Sequence, residues 1–320
     1  MSRTEPHRTE HRLVVAAPAD RLYALVAGVQ RWPAVFAPNL HVHHLHRTPH
    51  QERFRIWALL NGTVRNWTSR RELDPRGLRV TFEQEVSSPP IASMGGEWSM
   101  RQLSGSRTEL LLLHHFTAVD DDPSTIDWIN RAVDANSKRE LEALRDVAER
   151  GADLNDVVFS FEDSLRCAGR AADCYEFVHR ADLWDHRLPH VSRVRLDEDD
   201  EGVQQLEMDT TTEDGGTHTT RSYRVCSAPS WIGYKQTVLP ALLTGHSGLW
   251  TFSEDAGTTT MTARHTVAIK TDVISDVLGP GRSVADARTF LRSALGANSL
   301  TTLTRAAEFA ESRSGKQASR

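Results

Sequence analysis

Apolar and polar residues alternate in short runs from about residue 40 to 118, with turn signals at Asn61-Gly62, Asp74-Pro75-Arg76-Gly77, Ser87-Ser88-Pro89-Pro90 and Ser104-Gly105-Ser106. Period-two alternation punctuated by Gly, Pro and Asn predicts the strands of an antiparallel meander. Ahead of it, Leu13-Val14-Val15 reads as a short strand. Leu22, Leu25, Val26 and Val29 then predict a helix over Ala19–Gln30, opened by Pro18 and stopped at Trp32-Pro33. Behind the meander, Ile126, Ile129, Val133, Leu141, Leu144 and Val147 lay one apolar face along a helix ending near Glu149. Ser124 and Asp127 are spaced as its capping box. Strand, helix, strands and one long helix make an α+β pattern in which a sheet curves around the last helix. The enclosed interior is then either core or cavity.

The pattern is written twice. Tyr23, Trp32, Gln84 and Trp98 recur 152 positions on as Tyr175, Trp184, Gln236 and Trp250. Ala135-Asn136-Ser137 recurs 162 positions on as Ala297-Asn298-Ser299, after an insertion ahead of a Ser283/Asp286 helix start. Two domains follow, 1–152 and 153–320, with a linker over 151–158 and a disordered tail over 313–320. A period this long is domain duplication and not a solenoid array. The offset of 152 sets Tyr223 against Arg71, Thr219 against Trp67, Arg221 against Ser69 and Thr266 against His114. On that matching the second copy keeps Trp184 and Trp250 and loses the polar set. The first domain is then the catalytic one and the second a structural or supporting copy, unless a two-residue register shift carries Arg221 inward and keeps the second copy active.

The 320 residues carry a net charge of −5 with no Lys/Arg-rich block, which disfavours nucleic acid as a partner. Three cysteines without CxxC spacing suit a reduced, cytoplasmic protein, and no apolar run is long enough to cross a bilayer. Phosphate-binding glycine loops and a GxSxG elbow are missing, so nucleotide and esterase readings have no motif behind them.

On the strand Val64–Leu73, Trp67, Ser69, Arg71 and Leu73 share one face. That face is the inner one by its apolar members, so Arg71 is carried inward, where a guanidinium needs an anion: a structural carboxylate or a ligand. His114 shares a face with Leu110, Leu112 and Phe116, whereas His115 shares one with Leu111 and Leu113; both are apolar, so alternation does not choose between them. Asn136 sits mid-helix, where Asn is a poor helix former. With Trp32, Trp67 and Trp98, an Arg and a His would line a cavity for a flat, conjugated, partly anionic ligand. His41, His43, His44 and His46 offer pairs of imidazoles for a metal, but two further ligands are not evident, so no metal or other cofactor is expected.

The runs Trp32-Pro33-Ala34-Val35-Phe36 and Trp67-Thr68-Ser69-Arg70-Arg71, the Trp98 and His114 strands and the Asn136 helix resemble the aromatase/cyclases of bacterial type II polyketide synthases. The tandem arrangement is similar to their di-domain subclass. The resemblance implies a helix-grip (START-like, Bet v 1-like) fold in each domain and a pocket inside. It implies Arg71, His114 and Asn136 as catalytic residues, and Trp32, Phe36, Trp67, Ser69, Met94 and Trp98 as substrate-binding ones. Asn39 and Arg65 stand where some members carry Tyr and Trp. It further implies an acyl carrier protein bearing a ketoreduced poly-β-ketone as partner, with synthase and ketoreductase components. First-ring C7–C12 aldol cyclisation and dehydration is the implied reaction. Arg47, Arg53, Arg55 and Arg65 are candidates for a basic rim facing the acidic carrier. The rival reading is a non-catalytic carrier of hydrophobic small molecules on the same fold.

Overall fold

A computed structural model describes residues 5–318 except 61, 88, 121, 151, 152, 200 and 212–215. Asn61 and Ser88 of two expected turns, residues 151 and 152 of the expected linker and the last two of the expected tail lie outside the described residues. The chain divides into two units, Met1–Leu154 and Asn155–Arg320.

The first unit runs β1 (His7–Val15), α1 (Ala19–Ala27), a 3₁₀ turn (Val29–Arg31) and α2 (Trp32–Val35). Six strands follow: β2 (Asn39–Arg47), β3 (Gln51–Leu60), β4 (Thr63–Asp74), β5 (Arg79–Val86), β6 (Ile91–Ser104) and β7 (Arg107–Ala118). The long helix α3 (Pro123–Ala148) closes it. Its seven strands form one antiparallel sheet in the order β1-β7-β6-β5-β4-β3-β2. After α4 (Leu154–Val157), the second unit repeats the design: β8 (Val158–Cys167), α5 (Ala171–His179) and α6 (Trp184–Arg187). Its meander is β9 (Val191–Glu198), β10 (Val203–Thr211), β11 (Thr217–Ser227), β12 (Trp231–Val238), β13 (Leu243–Asp255) and β14 (Thr258–Ile269). It ends in α7 (Ile274–Leu278) and α8 (Val284–Ala318), with sheet order β8-β14-β13-β12-β11-β10-β9. Each unit is an α+β helix-grip: a curved sheet laid on its last helix.

Local chemistry moves several expected boundaries. β1 begins at His7 because it pairs with β7 along its whole length, from His7 opposite Phe116 to Val15 opposite Thr108. α1 ends when the Gly28 N–H donates back to Ala24, and Trp32-Pro33 opens α2, with Pro in a first turn that needs no N–H there. Residues 154–158 of the expected linker are α4 and the start of β8. The expected tail is helical as far as Ala318, and Arg313 Nη1 lies 3.1 Å from Asp173 Oδ1.

Ser124 does not cap α3. Asp122 does, accepting from the Thr125 N–H at 3.1 Å, while Ser124 Oγ donates to the same carboxylate. In the second unit the box forms: the Ser283 N–H donates to Asp286 Oδ2 at 2.8 Å and the Asp286 N–H to Ser283 Oγ at 3.2 Å. Asp122→Ala is expected to cost about 1 kcal/mol in urea unfolding and Ser124→Ala well under half of that. Equal losses would put the cap back on Ser124.

Candidate active site

Arg71 does face inward, 1% exposed, and its donors are consumed within the fold. Nε donates to Glu52 Oε1 at 2.7 Å, Nη1 to the Val26 carbonyl and Nη2 to the Ala27 carbonyl, both at 2.9 Å. Nη2 also lies 2.5 Å from Glu52. The cation thus closes the C-terminal end of α1, where orphan carbonyls and the helix dipole favour positive charge. Its Cζ stands 4.9 Å from the Trp32 ring centroid. Burial opposes the Glu52 charge, but hydrogen bonds from His44 and Arg71 hold its carboxyl below the usual range. Burial also pulls Arg71 down, with Glu52 acting against it. This is the structural ion pair, and Arg71 supports the wall from behind Trp32.

His114 answers the question that alternation left open. It lies inside, edge-on to Phe82 at 5.5 Å, while His115 points out and bonds Glu83 at 2.9 Å. Burial pushes the His114 imidazole down to about 4, with His11 and His115 adding to the effect, so it is neutral at physiological pH. Its Nδ1 is buried without a hydrogen-bond partner in the protein, and so is Ser137 Oγ on α3. Such orphans cost roughly 1–3 kcal/mol each, which a fold retains for a ligand or a reaction.

Asn136 is not the inward residue of α3. Its Oδ1 accepts from Arg139 Nη2 at 3.1 Å, and the next position, Ser137, turns inside at 1% exposure. Val133, Ser137, Glu140, Leu144 and Val147 share that inner face by their three- and four-residue spacing. Glu140 is therefore an interior carboxyl, and burial lifts it to about 7.

Trp98 and Phe36 are buried at 3% and 2%, and Ser69 is buried beside Arg71. Trp32 and Trp67, half-buried, flank the cluster of Val29, Val42, Phe54 and Ile56. Met94 packs against Phe116, Ile129 and Val133, and Gln84 Nε2 points at its sulfur from 3.8 Å. The histidine run is split by a bulge between His44 and His46, and His44 Nε2 is held by Glu52 at 2.9 Å. Among the described residues no three His, Cys, Asp or Glu side chains converge. Of the expected basic rim, Arg53 is bonded to Glu85 and Arg55 to Asn66. Among the described residues no helix is long and apolar enough to cross a membrane.

The second unit overturns the fixed-offset matching. Arg71 stands opposite Glu52, and at the matching place in the second sheet Arg224 stands opposite Gln204. Arg224 donates to the Val178 carbonyl at 2.6 Å and lies 5.2 Å from Trp184, as Arg71 does to Val26 and Trp32. Likewise His114 stands opposite Gly96 and His265 opposite Gly248. The counterparts of Arg71, Ser69 and His114 are thus Arg224, Ser222 and His265; the polar set is kept, not lost. Hairpins differing by one residue, including a bulge between Gln102 and Ser104 in β6, shift the offset. A one-residue slip then exchanges the two faces of a strand.

A cavity of about 110 Å³ opens in this second interior, lined among others by Trp184, Ser222, Arg224, Tyr234, His246 and His265. Asn298, Ser299 and Thr302 of α8 border it too. Since Ser299 matches Ser137, Thr302 matches Glu140, which places Glu140 on the corresponding interior wall of the first unit. None of Glu140, Ser137, Arg224, Tyr234, His246, His265 and Ser299 is assigned to a site by the sequence alone; the helical spacing through Glu140 and the repeated Ala-Asn-Ser triplet were the available signals.

Residues 15–121 match the family described as polyketide cyclase/dehydrase and lipid transport. The granaticin polyketide synthase bifunctional cyclase/dehydratase of Streptomyces violaceoruber is 53% identical over 95% of this chain and 94% of its own. The actinorhodin polyketide synthase bifunctional cyclase/dehydratase of Streptomyces coelicolor is 53% identical, covering 96% and 98%. The crystal structure of the di-domain aromatase/cyclase BexL from the BE-7585A pathway is 48% identical, with TM-score 0.83 over 95% of this chain and 99% of that one. StfQ, from the steffimycin pathway, has the same TM-score at 38% identity over 96% and 99%. With both domains and nearly the full length in common, the chain belongs to the di-domain polyketide cyclase/dehydratases, the aromatase/cyclases of polyketide synthases.

Proposed function

We propose that this cyclase/dehydratase takes a ketoreduced poly-β-ketone as a thioester on an acyl carrier protein and directs C7–C12 aldol closure and dehydration of the first ring. The synthase and ketoreductase components are its partners. The observation that carries the site is the buried, unpartnered Nδ1 of His114 inside an aromatic-walled interior. A neutral imidazole accepts the proton of a methylene between two carbonyls, and a protonated carboxyl returns one to the departing hydroxyl. Burial keeps His114 neutral and lifts Glu140 to about 7, so that a protonated fraction of the carboxyl persists up to neutral pH. Arg71 acts at one remove, as a buried cation that fixes Trp32 and the end of α1. Asn136 sits at the edge of the interior, where it orients the chain. Trp32, Phe36, Trp67, Ser69, Met94 and Trp98 fold the polyketide so that one carbon pair meets, and such positioning supplies roughly 7–11 kcal/mol.

The test is a product profile. A minimal synthase and ketoreductase, supplied with the full chain, are expected to move from a mixture of shunt products to one aromatic first-ring product. Carbon-13 labelling of that product should show the C7–C12 bond. An unchanged mixture, or another ring bond, would refute the reading.

A further inference from the structure

The second interior contains a directional hydrogen-bond chain that the first one does not. Gln236 Oε1 lies 2.8 Å from His246 Nδ1, His246 Nε2 lies 3.0 Å from His265 Nδ1, and His265 Nε2 lies 2.5 Å from Ser299 Oγ. An amide oxygen only accepts, so His246 carries its proton on Nδ1 and offers a lone pair at Nε2. That lone pair holds the His265 proton on Nδ1, where the Tyr234 hydroxyl also lies at 2.9 Å. His265 Nε2 is therefore left as a bare acceptor facing the Ser299 hydroxyl. The tautomers are fixed from one end of the chain to the other in the sense that a general base needs. Phe161 stacks on the His265 ring at 4.9 Å and fixes its plane. The two imidazole planes are inclined by 27°, with centroids 5.3 Å apart, as an in-plane hydrogen bond between them requires. Gly248 makes room for this packing, since a Cβ there would overlap the Tyr234 ring. Ser299, His265 and His246 all line the cavity.

The first interior shows what changed. Phe82 occupies the place of Tyr234 and Met94 the place of His246 in equivalent strand registers. Gln84 turns to the Met94 sulfur there, and both His114 Nδ1 and Ser137 Oγ are left without partners. The same histidine and serine are thus unlinked in one copy and joined in the other by two substitutions.

We infer that Ser299, His265 and His246 form a nucleophile, base and orienting group, and that the second domain cleaves small acyl thioesters through an acyl-serine. A hydroxyl on a base that is itself oriented by a third group is the recurrent arrangement of activated serines on unrelated folds. Ser299 Oγ bonds to the thioester carbonyl carbon while its proton passes to His265 Nε2. The tetrahedral adduct collapses with loss of thiolate, which takes that proton from His265. Water then attacks the acyl-serine, giving its proton to His265 and from there to Ser299, and a carboxylic acid leaves. Arg224, whose partner at the position of Glu52 is the neutral Gln204, contributes positive potential to the cavity wall as negative charge develops. A cavity of about 110 Å³ fits a short acyl group and not a full polyketide chain. The activity would clear short acyl groups from thioesters, in keeping with the carrier-tethered substrate proposed above, on which the biological role rests.

The test uses the full chain and diisopropyl fluorophosphate, a probe that needs no polyketide. Intact mass and peptide mapping are expected to show one adduct, on Ser299, and none in Ser299→Ala. His246→Met recreates the packing of the first domain and is a positioning variant. It should slow labelling at least about 100-fold, in line with the cost of removing an orienting group, and change its pH profile. Thiol release from acetyl-N-acetylcysteamine should fall in parallel. No adduct, an adduct that survives Ser299→Ala, or labelling unaffected by His246→Met would overturn the inference. The cyclisation assay would still stand in any of those cases, since it reads the first-ring product alone.

Discussion

Arg71→Ala is expected to destabilise the first domain by about 3–5 kcal/mol, the usual cost of leaving one member of a buried ion pair uncompensated. Glu52 is 1% exposed, so the lost cation leaves a carboxylate in a low-dielectric site with His44 to answer it. The Val26 and Ala27 carbonyls lose their donors at the same time. Glu52→Gln introduced into that variant should recover part of the loss, because it removes the stranded charge. Arg224→Ala is the internal control. It strands the neutral Gln204 amide and two carbonyls, so roughly 1–3 kcal/mol is expected there. Urea unfolding of the full chain followed by hydrogen exchange in each domain would separate the two effects. Unchanged stability of Arg71→Ala together with lost cyclisation would instead place the guanidinium on the substrate.

That contrast marks what was legible in the sequence and what was not. Duplication, the antiparallel meander, the long last helix and the inward course of Arg71 all follow from periodicity and spacing, since burial imposes those patterns on any sequence. The counterpart of Arg71 was hidden by a single residue. Between Glu52 and Arg71 there are fewer residues than between Gln204 and Arg224, and a fixed offset therefore lands on Tyr223, on the opposite face of the strand. The same slip, through the β6 bulge, hid His265 behind Thr266. On α3 the most deeply buried polar side chain, Ser137, lies one position beyond Asn136. A step of one residue turns a helix by about 100°, enough to exchange Ser137 for Asn136. Glu140 was overlooked because a charged residue on an apolar stripe reads as an interruption, yet it keeps the stripe's spacing. The carboxylate that meets Arg71 comes from a neighbouring strand, and no local pattern announces such a pair.

The two interiors then differ in kind. The first keeps a lone imidazole and a carboxyl with opposite shifts, and the second ties its imidazole into a relay. A pair of groups whose surroundings drive their pKa values apart is how a site keeps a base bare and an acid protonated at one pH.

His114→Leu is expected to lower first-ring formation by about 10²–10⁴-fold, the usual contribution of a positioned proton-transfer group, while leaving the first domain as stable as before or more so. The stability half follows from the geometry. His114 Nδ1 is buried with no partner in the protein, so exchanging the ring for an apolar side chain removes a cost instead of a bond. A histidine kept for structure would behave the other way, losing stability with little change in rate. The pH profile gives the sign independently. His114 must be neutral, so activity rises through about pH 4, and Glu140 must be protonated, so activity falls through about pH 7. Glu140→Gln should abolish the alkaline limb. It should also flatten the stability profile: a carboxyl raised from 4.5 to about 7 favours the fold below pH 4.5 and loses that contribution as pH rises through 7. Between pH 5 and 8 the wild type should thus lose up to about 3 kcal/mol relative to Glu140→Gln, at 1.36 kcal/mol per unit. A rate profile flat from pH 4 to 9, with the two proteins unfolding in parallel, would remove both groups from the chemistry.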